Sequence, residues 1–193
     1  MAEIKSALEK AMERAEKFGR ATGEEIKAGM YLDEGRRLAA RYLREEELNL
    51  IELLESQPSA SRAQVKKGMK ETLLRNIILP RDDESEENSN RAMNGLQKLK
   101  KNNTRAKKAL GYIEEVFRHY RRAMEDAGRQ LSSQLETKME NLEQQLGQQL
   151  RMKAEIDVED QPQLQEQMLQ VSTEIGEHFN RLLEEQKDIL RST

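Results

Sequence analysis

Residues 96–131, LQKLKKNNTRAKKALGYIEEVFRHYRRAMEDAGRQL, decide the fold of this chain. Along this stretch, mostly apolar residues recur on one helical face with a strict alternation of three and four positions. The repeat runs from Leu96 to Leu131 and includes Ala106 and Ala127. Such a heptad repeat is typical of a coiled coil, whose stripe packs against a partner helix. The members that we predict to form the partner seam, called the heptad stripe below, are Leu96, Leu99, Asn103, Leu110, Ile113, Phe117, Tyr120 and Met124.

The helical pattern extends in both directions from this stretch. No proline occurs from residue 90 to residue 156, which predicts one uninterrupted helix of roughly 100 Å. Residues 157–161 break it, and a second apolar stripe predicts another helix up to the end of the sequence. A short turn makes the two helices antiparallel. With the turn centred near residue 159, the last helix covers 128–156, so we expect residues 91–127 to pack on the N-terminal helices, on another copy or on a different protein.

Residues 1–80 are predicted to form a small N-terminal helical domain. Apolar spacing indicates helices over residues 3–20, from a capping box at Thr22 to about residue 56, and from residue 59 or 61 onwards. Pro58 ends the second of these helices. Three glycines mark positions where helix backbones could approach one another: Gly29, Gly35 and Gly68.

Residues 81–90, RDDESEENSN, contain five acidic residues and no apolar one, which predicts a solvated acidic linker. The expected fold class is therefore all-α. It comprises the N-terminal domain (1–80), the linker (81–90) and a long antiparallel helical hairpin, a coiled coil, at residues 91–193.

Composition limits the class of protein. The chain has 193 residues, of which 36% are charged, and no cysteine, which excludes disulfides, thiolate metal sites and a cysteine nucleophile. It has no apolar run of about 18 residues, so we expect no transmembrane helix. Because the N-terminus alternates charges and lacks the apolar core of a signal peptide, we expect a cytoplasmic location.

Charge is distributed unevenly along the chain. Residues 91–129 carry 11 basic and 4 acidic groups, whereas residues 130–193 carry 6 basic and 13 acidic groups. The basic patch comprises Lys98, Lys100, Lys101, Arg105, Lys107, Lys108, Arg118, Arg121 and Arg122. Three interpretations stay open: a solvated helix face, a surface that docks to an acidic protein, or a surface that binds nucleic acid or anionic lipid through counterion release.

Neither catalysis nor metal binding is expected. His119 and His178 each follow a glutamate by four residues, which places both side chains on one helical face. Carboxylate-bridged metal sites in helical bundles use a three-residue spacing and further glutamates. There is also no glycine-rich phosphate loop and no nucleophile elbow. We therefore predict no catalytic, metal or cofactor site.

Asn103 is the polar member of the heptad stripe. A buried asparagine at such a position specifies the register and the oligomeric state of a coiled coil. The alternative is that the helix is exposed or frayed there.

The segments MAEIKSALE (residues 1–9) and LLRNIILP (residues 73–80) resemble a group of uncharacterised bacterial proteins of unknown function. The resemblance covers about the first eighty residues and implies only that they form a unit. From the stripe and the charge pattern we expect an interaction protein, a coiled-coil module that self-associates and tethers a partner protein. The alternative is nucleic-acid or anionic-surface binding through residues 98–122.

Overall fold

The computed structural model of the chain describes residues 23–45, 47–146 and 162–193. These residues form six helices: α1 (Gly23–Arg44), α2 (Leu50–Glu55), α3 (Arg62–Arg75), α4 (Asp83–Leu99), α5 (Thr104–Leu146) and α6 (Pro162–Ser192). The all-α class is confirmed. The helix expected at 3–20, the cap at Thr22 and the turn at 157–161 lie outside the described residues. None of the described helices combines the length and apolarity needed to cross a membrane.

Residue contacts divide the chain into two units, Met1–Thr72 and Leu73–Thr193, with the boundary inside α3. In the first unit, the single helix expected up to residue 56 is interrupted. The sequence EEE at residues 45–47 follows the end of α1, where the helix dipole disfavours negative charge. Asn49 then begins α2, because its side chain accepts a hydrogen bond from the backbone N–H of Ile51 at 3.0 Å.

Helices α1 and α3 cross in direct backbone contact at two glycines. A Cβ added at Gly35 would lie 2.0 Å from the carbonyl oxygen of Val65, and one added at Gly68 would lie 2.0 Å from that of Leu32. Each carbonyl belongs to the residue three positions before the other glycine, so the contact is reciprocal. Only residues without a Cβ permit this approach. Gly29 has nothing within 4 Å, so two of the three expected glycines lie at the crossing.

The second unit begins with the end of α3 and its connector to α4. Leu73, Leu74, Ile77 and Leu79 are buried there. Ser89 of α4, fully buried, holds the connector: its hydroxyl accepts a hydrogen bond from the N–H of Ile78 at 3.1 Å and lies 3.1 Å from the carbonyl oxygen of the same residue. A buried serine in an otherwise acidic, polar segment gave no hydrophobic signal in the sequence.

The linker prediction for residues 81–90 is wrong, because most of this segment belongs to α4. Asp82 and Ser85 form a capping box, in which the Asp82 carboxylate accepts a hydrogen bond from the Ser85 N–H at 2.7 Å. Three acidic residues follow in the first turn, Asp83, Glu84 and Glu86, where the helix dipole favours negative charge. Residues rich in acids therefore start a helix here instead of separating two domains.

The long helix expected over residues 90–156 is also interrupted. Helix α4 ends at Leu99, and α5 begins at Thr104. Between them, the Asn103 side chain accepts a hydrogen bond from the N–H of Ala106 at 2.9 Å. Asn103 is thus the N-cap of α5, and neither expectation for it, a buried seam residue or a frayed position, describes this role.

This interruption folds the chain back on itself. Arg121 of α5 makes two hydrogen bonds to Glu86 of α4, at 2.7 and 2.8 Å, so α4 and α5 are antiparallel. Helix α6 also packs along α5, and the rings of Tyr120 and Phe179 meet edge to face at 5.7 Å. Helices α5 and α6 thus form the hairpin of two long helices. Helix α4 adds a third helix beside the N-terminal part of α5.

Candidate functional site on the helical hairpin

The heptad stripe lies inside the second unit. Leu96, Leu99, Leu110, Ile113, Phe117 and Tyr120 are buried, and Asn103 and Met124 are half-buried. The expectation that residues 91–127 have no partner downstream in the chain is wrong, because α6 packs along α5, and α4 also lies beside α5. The prediction fails because α6 lies at a different level along α5. Phe179 contacts Tyr120, whereas a turn at residue 159 would pair the whole of α6 with residues after 127.

The cover that α4 provides ends partway along α5. Since Glu86 pairs with Arg121 and the helices are antiparallel, the start of α4 at Asp83 lies level with about residue 124 of α5. Among the described residues, α5 and α6 are the two helices that continue beyond this level, and we call this part the extension. Burial is partly reduced there: Met124 and Leu131 are only half-buried, although Leu135 is buried.

Three apolar side chains of α6 are exposed in the extension. Met168, Leu169 and Val171, named the extension patch, have 40%, 67% and 37% of their surface exposed. Met168 and Val171 belong to the apolar stripe that the sequence predicts for this helix, and Leu169 lies beside it. Two helices cannot enclose a stripe that is wider than one seam. The extension patch is therefore an apolar surface that the described part of the hairpin leaves uncovered.

Lys100 of the basic patch has a structural role. Its side chain is 9% exposed, and its ammonium group donates hydrogen bonds to the carbonyl oxygen of Leu190 at 2.7 Å and to the Thr193 hydroxyl at 2.9 Å. The last carbonyls of a helix carry partial negative charge, so a lysine satisfies them well. Lys100 fastens the α4–α5 corner to the end of α6 and is not part of a surface.

The rest of the basic patch separates into two groups. In α5, Arg121 pairs with Glu86 at 2.7 Å, and Arg118 and Arg122 each lie 3.9 Å from an acid of their own helix. The second group surrounds the α4–α5 corner, is exposed, and is named the corner cluster: Lys98, Lys101, Arg105, Lys107 and Lys108. The structure thus divides what the sequence presented as one patch.

Tyr112 lies beside the corner cluster. It follows Arg105 by seven residues and Lys108 by four, a spacing that places the three side chains on one face of α5. Its side chain is 57% exposed. Phe117 and Tyr120, the other aromatic residues near the basic patch, are buried.

No cluster of metal-ligating side chains occurs among the described residues. His178 is exposed, and its ring meets that of the adjacent Phe179 at 5.2 Å. Two carboxylates of this unit have a shifted pKa: Asp82, which belongs to the cap of α4, and Glu184, which belongs to ion pairs. Burial raises the pKa of Glu184, but hydrogen bonds from Lys187 and Arg191 lower it more, so the pKa lies below its ordinary value.

Comparison with known proteins agrees with the expectation of an uncharacterised family. No curated protein and no solved structure matches the chain. A family model matches residues 51–192, which begins inside the segment covered by the sequence resemblance and continues through the whole hairpin. The match covers well over half of the chain, and the chain belongs to the family of unknown function DUF6657.

Proposed function

We propose that this chain is a non-catalytic interaction protein that self-associates through the extension of its helical hairpin and, as an assembly, tethers a partner protein. The observation that carries the proposal is the extension patch. Met168, Leu169 and Val171 stand within four residues of one another and are exposed where α4 no longer covers the hairpin. Grouped apolar side chains on a surface mark interaction sites more often than scattered ones do.

The occupant that we assign to this patch is the same segment of a second copy. Residues 162–173 contain a single charged residue, Glu166, and are otherwise apolar or carry amides and hydroxyls. In a two-fold contact the same surface faces itself, so like charges would oppose one another. This segment avoids that repulsion almost completely. Two extensions together would supply four helices, which is the number that commonly encloses a shared apolar core.

The heptad stripe does not support this assembly, because the second unit buries it internally. Self-association therefore depends on a different helix, α6, from the helices α4 and α5 that carry the heptad stripe. The surface is small, so we expect a reversible dimer whose population depends on protein concentration.

The test compares two lysine substitutions on adjacent residues of α6. Leu169→Lys places a charge in the extension patch, whereas Gln170→Lys adds the same charge on the far side of the helix, four residues before Glu174. Sedimentation velocity over a range of concentrations should show a reversible dimer for the natural sequence and for Gln170→Lys, and a monomer for Leu169→Lys. Circular dichroism should be equal for all three, because both positions are exposed. A natural chain that is monomeric throughout, or equal dimerisation of both variants, overturns the proposal.

A further inference from the structure

We propose that the α4–α5 corner is a binding site for single-stranded nucleic acid, in which the corner cluster holds phosphates and Tyr112 stacks on a base. This site is separate from the extension patch and does not depend on self-association.

The first argument is the local charge. From residue 88 to residue 113 the sequence contains no aspartate or glutamate, although it contains seven lysines and arginines. Lys101, Arg105, Lys107 and Lys108 are exposed and form no ion pair with any described residue. The arginines further along α5 differ, since Arg129, for example, lies 3.1 Å from Glu125.

The second argument is the position of these cations on the helix. The first turn of α5 contains no acid, and Arg105, Lys107 and Lys108 occupy its beginning. A helix N-terminus carries positive partial charge, so cations there are unfavourable for the isolated helix. Side chains that break a local stability rule are concentrated at functional sites. A bound anion would convert this repulsion into attraction.

The third argument is rigidity. The corner is capped by Asn103 and fastened to the end of α6 by the buried Lys100, which bonds Leu190 and Thr193. Surfaces built on such fixed elements keep their charges at constant spacing, and this lowers the entropic cost of binding.

Tyr112 selects the class of ligand. Its ring is 57% exposed and shares a helical face with Arg105 and Lys108. Cations along a surface together with an exposed aromatic ring are the combination that binds single strands, whose unpaired bases offer a face for stacking. A membrane-binding helix needs a broad apolar face. The corner does not have one, because Tyr112 is the single large apolar side chain that its described residues expose. An acidic protein surface would use the cations but has no base for the ring.

The test measures fluorescence anisotropy of a labelled single-stranded oligonucleotide, with heparin and anionic vesicles as ligands that lack bases. Phosphate contacts from the four cations that form no ion pair with a described residue, Lys101, Arg105, Lys107 and Lys108, predict a slope of log affinity against log salt of about −3. Each contact contributes about −0.7 to this slope on single strands. Replacing Lys101, Lys107 and Lys108 by glutamine should reduce the magnitude of this slope by about 2. The control replaces Arg118, Arg122 and Arg129 by glutamine, which removes the same charge outside the corner and should leave the slope unchanged.

Substitutions of Tyr112 separate a nucleic acid from another polyanion. Tyr112→Ala should weaken oligonucleotide binding by about 5- to 150-fold, the range that loss of one stacked base produces, and should leave heparin binding unchanged. Tyr112→Phe should retain binding of both. An oligonucleotide that does not bind at low salt, an equal loss in the control variant, or a Tyr112→Ala variant that binds as before overturns the site. Preference for vesicles over the oligonucleotide assigns the corner to a membrane and also overturns it.

Discussion

Alanine substitutions at two glycines of α1 give a sharp test of the first unit. At Gly35 the new Cβ would lie 2.0 Å from the carbonyl oxygen of Val65 and 3.0 Å from the Met69 nitrogen. A close carbon–oxygen contact needs about 3.3 Å, so the two backbones must separate locally by about 1.3 Å. A gap of this size forfeits a large part of the dispersion energy between the helices. At Gly29, in the same helix, nothing lies within 4 Å.

The two variants should therefore change stability in opposite directions. Gly29→Ala should stabilise the unit by about 0.5–1 kcal/mol, because alanine has the higher helix propensity. Gly35→Ala gains the same propensity but overpacks a backbone contact, an effect that typically costs about 1–3 kcal/mol, and we expect net destabilisation. Urea denaturation followed by circular dichroism measures the difference. Hydrogen exchange of peptides from α1 and α3 assigns it to the crossing. A Gly35→Ala protein as stable as Gly29→Ala would refute the backbone contact.

Two further predictions concern helix caps in the second unit. Asn103→Ala should destabilise the unit by about 1 kcal/mol in urea denaturation, since the Ala106 N–H loses its acceptor, and a more stable variant would return Asn103 to an apolar seam. Hydrogen bonds from the backbone N–H and side chain of Ser85 hold the pKa of Asp82 below its ordinary value. The ionised Asp82 therefore stabilises the folded unit fully above the unfolded-chain pKa of about 3.9. This contribution is lost as pH falls through the lower pKa of the folded state. Between pH of about 5 and about 3, Asp82→Ser should therefore lose less stability than the natural chain, and parallel losses would contradict this assignment.

The sequence predicts the helical class and the buried faces well, because both follow from apolar spacing. Ile113, Phe117 and Tyr120 are buried as the heptad repeat requires. Periodicity shows which side of a helix is covered but not by what, and a stripe facing two helices of its own chain has the same spacing as a stripe facing another protein. For this reason the heptad repeat alone does not predict that α6 covers this stripe.

Element boundaries were less predictable, because they depend on single polar side chains. Asp82, Ser85 and Asn103 determine where α4 and α5 begin. Each of these is a polar residue type that is common on protein surfaces. From the sequence alone, an asparagine at position 103 is almost equally compatible with a helix interior and with an N-cap. Capping preferences are worth about 1 kcal/mol, which decides a boundary only together with the tertiary contacts formed on either side.

The basic patch shows a similar limit. Sequence spacing groups Lys100 with Lys101, yet one is buried against the end of α6 and the other is exposed. The carbonyl that Lys100 satisfies is ninety residues away in the chain, a separation that no local pattern encodes.

One local interruption accounts for both surfaces proposed here. If residues 90–156 formed a single helix, the heptad stripe would lie open along one side and would require another protein. Because the chain turns at residues 100–103, α5 runs back beside α4, and α4 covers this stripe as far as about residue 124. The apolar surface that is left uncovered moves to the extension, where Leu169 is exposed. The same turn projects Lys101 and Arg105 from a fixed corner, so the break in the helix separates a surface suited to a second copy from a surface suited to an anionic chain.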